Sequence, residues 1–153
     1  MKEVIIGDKV TDIPCVCLDC TNLTSVTIPD SVIEIYGSFY GCSGLTELTI
    51  SEGVTKIAGS AFSRCTGLTS VTIPRSVTII GSNLGSSVFG ECSGLKEITI
   101  LNPDCEIYDS KNVISNGIDK NHNPYFNGTI YGYKDSTAQA YAEKYGYNFE
   151  AIE

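Results

Sequence analysis

Tryptophan is absent from the 153 residues, methionine and histidine occur once each, and basic residues are few and scattered. The lone histidine, His122, lies in an irregular polar stretch, so no Ser–His or Cys–His couple is evident for nucleophilic catalysis. Ten Lys and Arg stand against eighteen Asp and Glu, a formal charge of −8 with no basic cluster. A polyphosphate is held by neutralising it with Lys and Arg, so the balance argues against nucleic acid. It equally disfavours attraction to anionic lipid headgroups. Acidity of this size commonly serves solubility alone. No apolar run approaches the roughly 18 residues of a membrane span, which excludes membrane insertion by a helix. Neither a glycine-rich phosphate loop with its lysine nor a metalloprotease helix motif occurs, and no cofactor is implied. Met1 to Ile6 lacks the apolar stretch and cleavage site of a secretory signal. It enters a repeat register at once, from which we expect a piece of a longer chain.

That register dominates what is present. An apolar triplet reads Leu23-x-x-Val26-x-Ile28, then Leu45-x-x-Leu48-x-Ile50, Leu68-x-x-Val71-x-Ile73 and Leu95-x-x-Ile98-x-Ile100. Met1-x-x-Val4-x-Ile6 fits one more copy. Four residues after each triplet comes a second element: Val10-x-x-Ile13, Val32-x-x-Ile35, Val54-x-x-Ile57 and Val77-x-x-Ile80. A third follows: Cys17-x-x-Cys20, Phe39-x-x-Cys42, Phe62-x-x-Cys65 and Phe89-x-x-Cys92. Self-similarity at this period is the signature of a solenoid.

The end of the triplet alternates apolar and polar residues, the period of a strand with one buried face. One such strand cannot bury that face alone. Stacking coil on coil, Val26 over Leu48 over Val71 over Ile98, builds a continuous core from short units. Pro29 and Pro74 directly follow two strands, where a missing backbone donor is expected to end the strand harmlessly. Glycines 37, 41, 44, 59, 67, 81, 90 and 94 gather in the Phe–Cys return segments, where the chain must turn tightly. Each return is short enough for one helical or 3₁₀ turn at most. The fold expected is an α/β-type leucine-rich repeat solenoid, mostly parallel β.

Three regions follow. Residues 1–102 hold about four complete repeats and a fifth begun, the fourth carrying an insertion within Ser82 to Val88. Residues 103–128 read as an irregular insertion rich in Asn, Ser, Gly and Asp. Residues 129–153 read as a strand from Thr129, a helix capped by Asp135 or Ser136 and by Gly146, and a strand near Tyr147. A solenoid must close its last coil, so this aromatic-rich strand–helix–strand is expected to be a cap within the same structural domain, an aromatic ligand platform being the rival reading.

Seven cysteines invite three readings. Cys20, Cys42, Cys65 and Cys92 share one repeat position, where small buried side chains suit a tight turn. Adjacent coils also bring such positions within disulfide range, and the odd total leaves one thiol free. Cys15-x-Cys17-x-x-Cys20 superficially suggests thiolate ligands, but no His or second pair completes a metal set. The outward strand positions are more informative: Thr24, Ser25 and Thr27; Thr46, Glu47 and Thr49; Thr69, Ser70 and Thr72; Lys96, Glu97 and Thr99. Threonine favours a solvated strand. The functional reading of the same residues is a concave polar contact surface for a protein or glycan. It lacks the Trp, Tyr and Arg of strong hot spots, so modest affinity per site is expected.

The unit Leu-Thr-Ser-Val-Thr-Ile-Pro-x-Ser-Val-x-x-Ile, continued by Phe-x-x-Cys-x-x-Leu, resembles the BspA-like leucine-rich repeat family. Leu23 to Cys42 and Leu68 to Cys92 carry that wording almost complete, and Thr129 to Ala142 looks like the family's closing segment. The resemblance implies a bacterial cell-surface or secreted protein with no catalytic residues. It further implies adhesion to a protein or glycan on a host or neighbouring cell. The competing expectation is an architectural spacer that self-associates through its N-terminal coil, since Met1 to Ile6 shows no N-terminal cap.

Overall fold

The computed structural model describes residues 3–83 and 87–153. Each coil contributes two short strands. These are β1 (Glu3–Val4) and β2 (Asp12–Pro14), β3 (Ser25–Ile28) and β4 (Glu34–Tyr36), β5 (Glu47–Ile50) and β6 (Lys56–Ala58). Then come β7 (Ser70–Ile73) and β8 (Ile79–Ile80), β9 (Glu97–Ile100) and β10 (Glu106–Ile107). A hairpin, β11 (Gly117–Ile118) and β12 (Pro124–Tyr125), leads to β13 (Thr129–Gly132), helix α1 (Thr137–Tyr145) and β14 (Asn148–Ala151). The leucine-rich repeat solenoid and its strand–helix–strand ending are present as the sequence predicts. Residues 84–86, inside the fourth-repeat insertion, and Met1 of the first triplet lie outside the described residues.

The triplet strands form a first parallel ladder in two parts, β1-β3-β5 and β7-β9 continued by the C-terminal strands, and the Val-x-x-Ile elements build a second, which the sequence pattern does not announce. In the second, β10-β8-β6-β4-β2 pair without interruption. Ile35 pairs with Ile13 and Ile57, and Ile80 with Ile57 and Ile107, so one isoleucine per coil points inward. Outward from it run Asp12, Glu34, Lys56, Ile79 and Glu106, with Lys56 Nζ 3.7 Å from Glu34.

Between the ladders lies the core. Leu23, Leu45, Leu68 and Leu95 are fully buried, as are Phe39, Phe62 and Phe89. The three rings stack face to face at 5.6 Å between centroids, 5° and 10° from parallel. The column continues with Ile114, which bridges to Phe89, while β10 extends the second ladder. The stack therefore runs on through residues the sequence pattern leaves irregular, with Cys105 and Val113 buried beside Ile114.

Return segments are tight turns rather than helices, and two glycine roles recur. Gly37, Gly59 and Gly81 take positive φ after β4, β6 and β8, and Cys15, φ 37°, holds that place after β2. Gly44 precedes the leading Leu and lies against the previous coil, where a Cβ would stand 2.2 Å from Thr21 O. Gly94 does the same against Thr66 O at 2.3 Å.

The C-terminal segment closes the stack through one omission. Ile130 pairs with Ile98, so β13 continues the first ladder with Gly132 in the place held by Ile100 in β9. Lacking a side chain, Gly132 admits Ala138 of α1, whose Cβ would be 3.1 Å from a Cβ added there. Ser136 Oγ accepts the Gln139 N–H at the helix start, and Gly146 ends the helix at φ 72°. Tyr141 is buried and donates to Ser110 O at 2.7 Å, while Tyr145 and Phe126 pack edge-on against Tyr141 and Tyr147. These aromatics fasten the cap.

Candidate interaction surface

Register turns the outward residues into columns. Glu3, Ser25 and Glu47 form one row across β1, β3 and β5, and Ser70, Glu97, Thr129 and Asn148 form its continuation across β7, β9, β13 and β14. Two residues on, Thr27 and Thr49 align, then Thr72, Thr99 and Tyr131. Thr24, Thr27, Thr46, Glu47, Thr49, Thr69, Ser70, Thr72, Lys96 and Glu97 are exposed, with Ser25 and Thr99 half-buried. Ser25 with Glu47 and Thr27 with Thr49 thus align on β3 and β5, and Ser70 with Glu97 and Thr72 with Thr99 on β7 and β9, while Thr24, Thr46, Thr69 and Lys96 are exposed just before their strands.

One aromatic and cationic cluster on that face escaped sequence reading. Alternation from buried Ile130 carries Tyr131 and Tyr133 outward beside the threonine column. Arg75, just after β7, donates from its guanidinium to Tyr133 Oη at 2.5 Å and lies over that ring 5.1 Å from the centroid. Tyr and Arg are the residue types that anchor interfaces, and here they sit pre-organised by a charge-assisted hydrogen bond. The signal was available only in the pairing of Thr-Ile-Tyr-Gly-Tyr with β9, because that strand lacks a leading Leu.

The face is also divided. The first ladder is two sheets, β1-β3-β5 and β14-β13-β9-β7, and among the described residues no strand pairing joins β5 to β7. Leu48 is half-buried where Val26 and Val71 are buried, and a cleft of about 360 Å³ opens there. Val26 does pair with Leu48 and Val71 with Ile98, but the expected stacking of Leu48 with Val71 is not a ladder contact.

The thiols are structural. Cys42 donates to Cys17 O at 2.9 Å, Cys65 to Phe39 O at 3.1 Å and Cys92 to Phe62 O at 3.0 Å. Each ties its turn to the preceding coil. Burial pushes the Cys42 thiol up to about 11 and those of Cys92 and Cys105 to about 12, so they stay protonated near neutrality. The described cysteines are all free, and no group of three or more His, Cys, Asp or Glu among the described residues is placed to hold a metal. His122 sits exposed at φ 63° on the loop between β11 and β12. At the N-terminal end, Ile5 is 88% exposed, and Val16 and Leu18 are exposed beside β1 and β2, which stand last in their sheets among the described residues.

The BspA type leucine rich repeat region matches residues 1–96 with six copies. Among solved structures the chain is similar to a T. pallidum leucine rich repeat protein, at 21% identity and a TM-score of 0.68, over 85% of this chain and 58% of that one. It is also similar to a leucine-rich repeat protein from Bacteroides ovatus, at 24% identity and a TM-score of 0.61, over 99% of this chain and 42% of that one. The chain thus spans about half the length of these structures, and the likeness speaks to the fold. No curated protein matches. With most of its length matched by the repeat model and two ladders built from those repeats, the chain belongs to the BspA-type leucine-rich repeat family.

Proposed function

We propose that this chain is a non-enzymatic binding module whose strand-side face contacts a protein or glycan outside the bacterial cell, as part of an adhesive surface. The observation that carries the reading is the outward row of Thr72, Thr99 and Tyr131, reaching the Tyr133 and Arg75 pair, with Thr27 and Thr49 aligned on the neighbouring sheet. The polar column positions a partner and the aromatic end supplies the anchor. Family membership supports a repeat-built interaction surface in a bacterial protein. Burial holds the Cys42, Cys92 and Cys105 thiols protonated near neutrality.

Capture on matrix proteins and a glycan array tests this. Tyr131→Ala and Arg75→Ala should each weaken binding roughly tenfold or more, about 1.4 kcal/mol. Thr27→Arg combined with Thr49→Arg should abolish contact made through the N-terminal half. Binding that survives all of these places the site elsewhere.

A second reading rests on the N-terminal edges. Among the described residues β1 and β2 stand last in their sheets, with Ile5, Val16 and Leu18 exposed beside them. Free strand edges with apolar flanks favour self-association, and light scattering at high concentration measures it. A monomer counts against assembly through this end.

A further inference from the structure

The cysteine column follows a rule with one exception. Each thiol donates to the carbonyl of the residue in the phenylalanine place one coil back: Cys42 to Cys17, Cys65 to Phe39 and Cys92 to Phe62. Cys20 stands first in that column, and its side chain meets the thiol of Cys17 in its own turn. Cys17 holds the place of Phe39, Phe62 and Phe89, so this turn sets a second thiol where the three after it set a ring.

Turn geometry brings the pair within bonding range. Leu18 and Asp19 form the turn between them, with Cys17 and Asp19 at φ 55° and 52°. In the matching turns of the next two coils, the Cys42 N–H donates to Phe39 O and the Cys65 N–H to Phe62 O, each at 3.2 Å. Such a turn holds its first and fourth Cα atoms within about 7 Å, and a disulfide spans about 4.4–6.8 Å. Cys17 and Cys20 are half-buried, whereas Cys42, Cys65, Cys92 and Cys105 are buried. Exposed Val16 and Leu18 leave the turn open to solvent. The other near thiols are engaged elsewhere. Cys42 donates to Cys17 O, and Cys15 Sγ lies 3.2 Å from where a Cβ on Gly37 would stand. Burial, and then the adjacent Cys20, raise the Cys17 thiol above its ordinary 9.0. A stabilised thiolate is what makes a dithiol pair strongly oxidising. Without one, the disulfide is favoured in oxidising surroundings.

We propose that Cys17 and Cys20 are a disulfide-forming pair, closed within their turn by exchange with a low-molecular-weight disulfide. One cysteine, as thiolate, attacks a sulfur of the small disulfide; a mixed disulfide forms and one small thiol leaves. The second cysteine attacks the protein sulfur of that mixed disulfide, the Cys17–Cys20 bond forms and the second small thiol leaves. The two cysteines are oxidised by two electrons, and their two protons depart on the two small thiols.

Graded ratios of oxidised to reduced glutathione, followed by maleimide trapping and peptide mass, test this on the native chain. Cys17 and Cys20 should lose labelling together as the buffer becomes oxidising, by at least roughly tenfold. The peptide carrying both should become two hydrogens lighter, and reduced glutathione should reverse the change. Cys17→Ser should leave Cys20 labelled or carrying a glutathione, with no internal bridge. Cys42→Ala should leave the pair closing as in the native chain, which a bridge between coils would not. Three results overturn the proposal: both cysteines still labelled in oxidised glutathione, reaction that stops at two mixed disulfides, or a bridge from Cys20 to Cys15 or Cys42.

Discussion

Cys42, Cys65 and Cys92 each aim a thiol at a carbonyl of the coil before, so one atom both fills the turn and ties neighbouring repeats. Leucine would fill the space without donating, and serine would donate while filling less of it. Cys92→Ala should therefore cost about 1–2 kcal/mol in urea unfolding, from lost packing and one weak hydrogen bond. The pH dependence has a definite sign. Burial raises these thiols above their ordinary 9.0, to about 11 for Cys42 and about 12 for Cys92. The unfolded chain releases those protons first as pH rises, so their contribution is full below pH 9 and is lost between there and about pH 12. Thermal melts should show that decline, and a chain carrying both Cys42→Ala and Cys92→Ala should show less of it. Labelling with a maleimide at neutral pH should modify exposed Cys15 readily and leave Cys42, Cys65, Cys92 and Cys105 untouched until the chain unfolds.

At the scale of the element, coil contact is enforced by missing side chains. A Cβ on Gly44 would strike Thr21 O at 2.2 Å, whereas one on Gly7 meets nothing within 4 Å. Gly44→Ala should then destabilise by about 1–3 kcal/mol while Gly7→Ala stays near neutral, measured by chemical denaturation. Gly132→Val should displace α1 from β13 and cost a similar amount, with the near-ultraviolet signal of the tyrosine cluster reporting loss of the cap. These elements also mark what the sequence reveals. The triplets alternate and recur, so the first ladder, the core leucines and the phenylalanine column are legible. The second ladder is not, because each of its strands buries a single isoleucine, too little for a period of two. Repeat five is obscured where Ile114 replaces Phe and Cys105 enters the core. The threonine columns could be proposed from spacing alone. Tyr131 and Arg75 could not, since their meeting depends on β13 joining β9 and on a turn after β7 distant in sequence.

Across the whole molecule the two ends differ. The C-terminal end is finished by α1, β14 and a packed set of tyrosines, with Asp109 holding Lys144 and Tyr145 at 2.5 Å each. Hydrogen bonds from those groups hold the Asp109 carboxyl below its usual range. At the N-terminal end β1 and β2 stand last in their sheets among the described residues. The long faces differ as well. One carries threonines, glutamates and the Arg75–Tyr133 pair, the other the Glu34–Lys56 pair and Ile79. Hydrogen-exchange footprinting with a captured partner bound decides between them most directly. Protection should rise on β3, β5, β7 and β9 around Thr27, Thr49, Thr72 and Thr99, and extend to Tyr131. Protection confined to the second ladder around Glu34, Lys56 and Ile79, with the first unchanged, would contradict the assignment of the binding face.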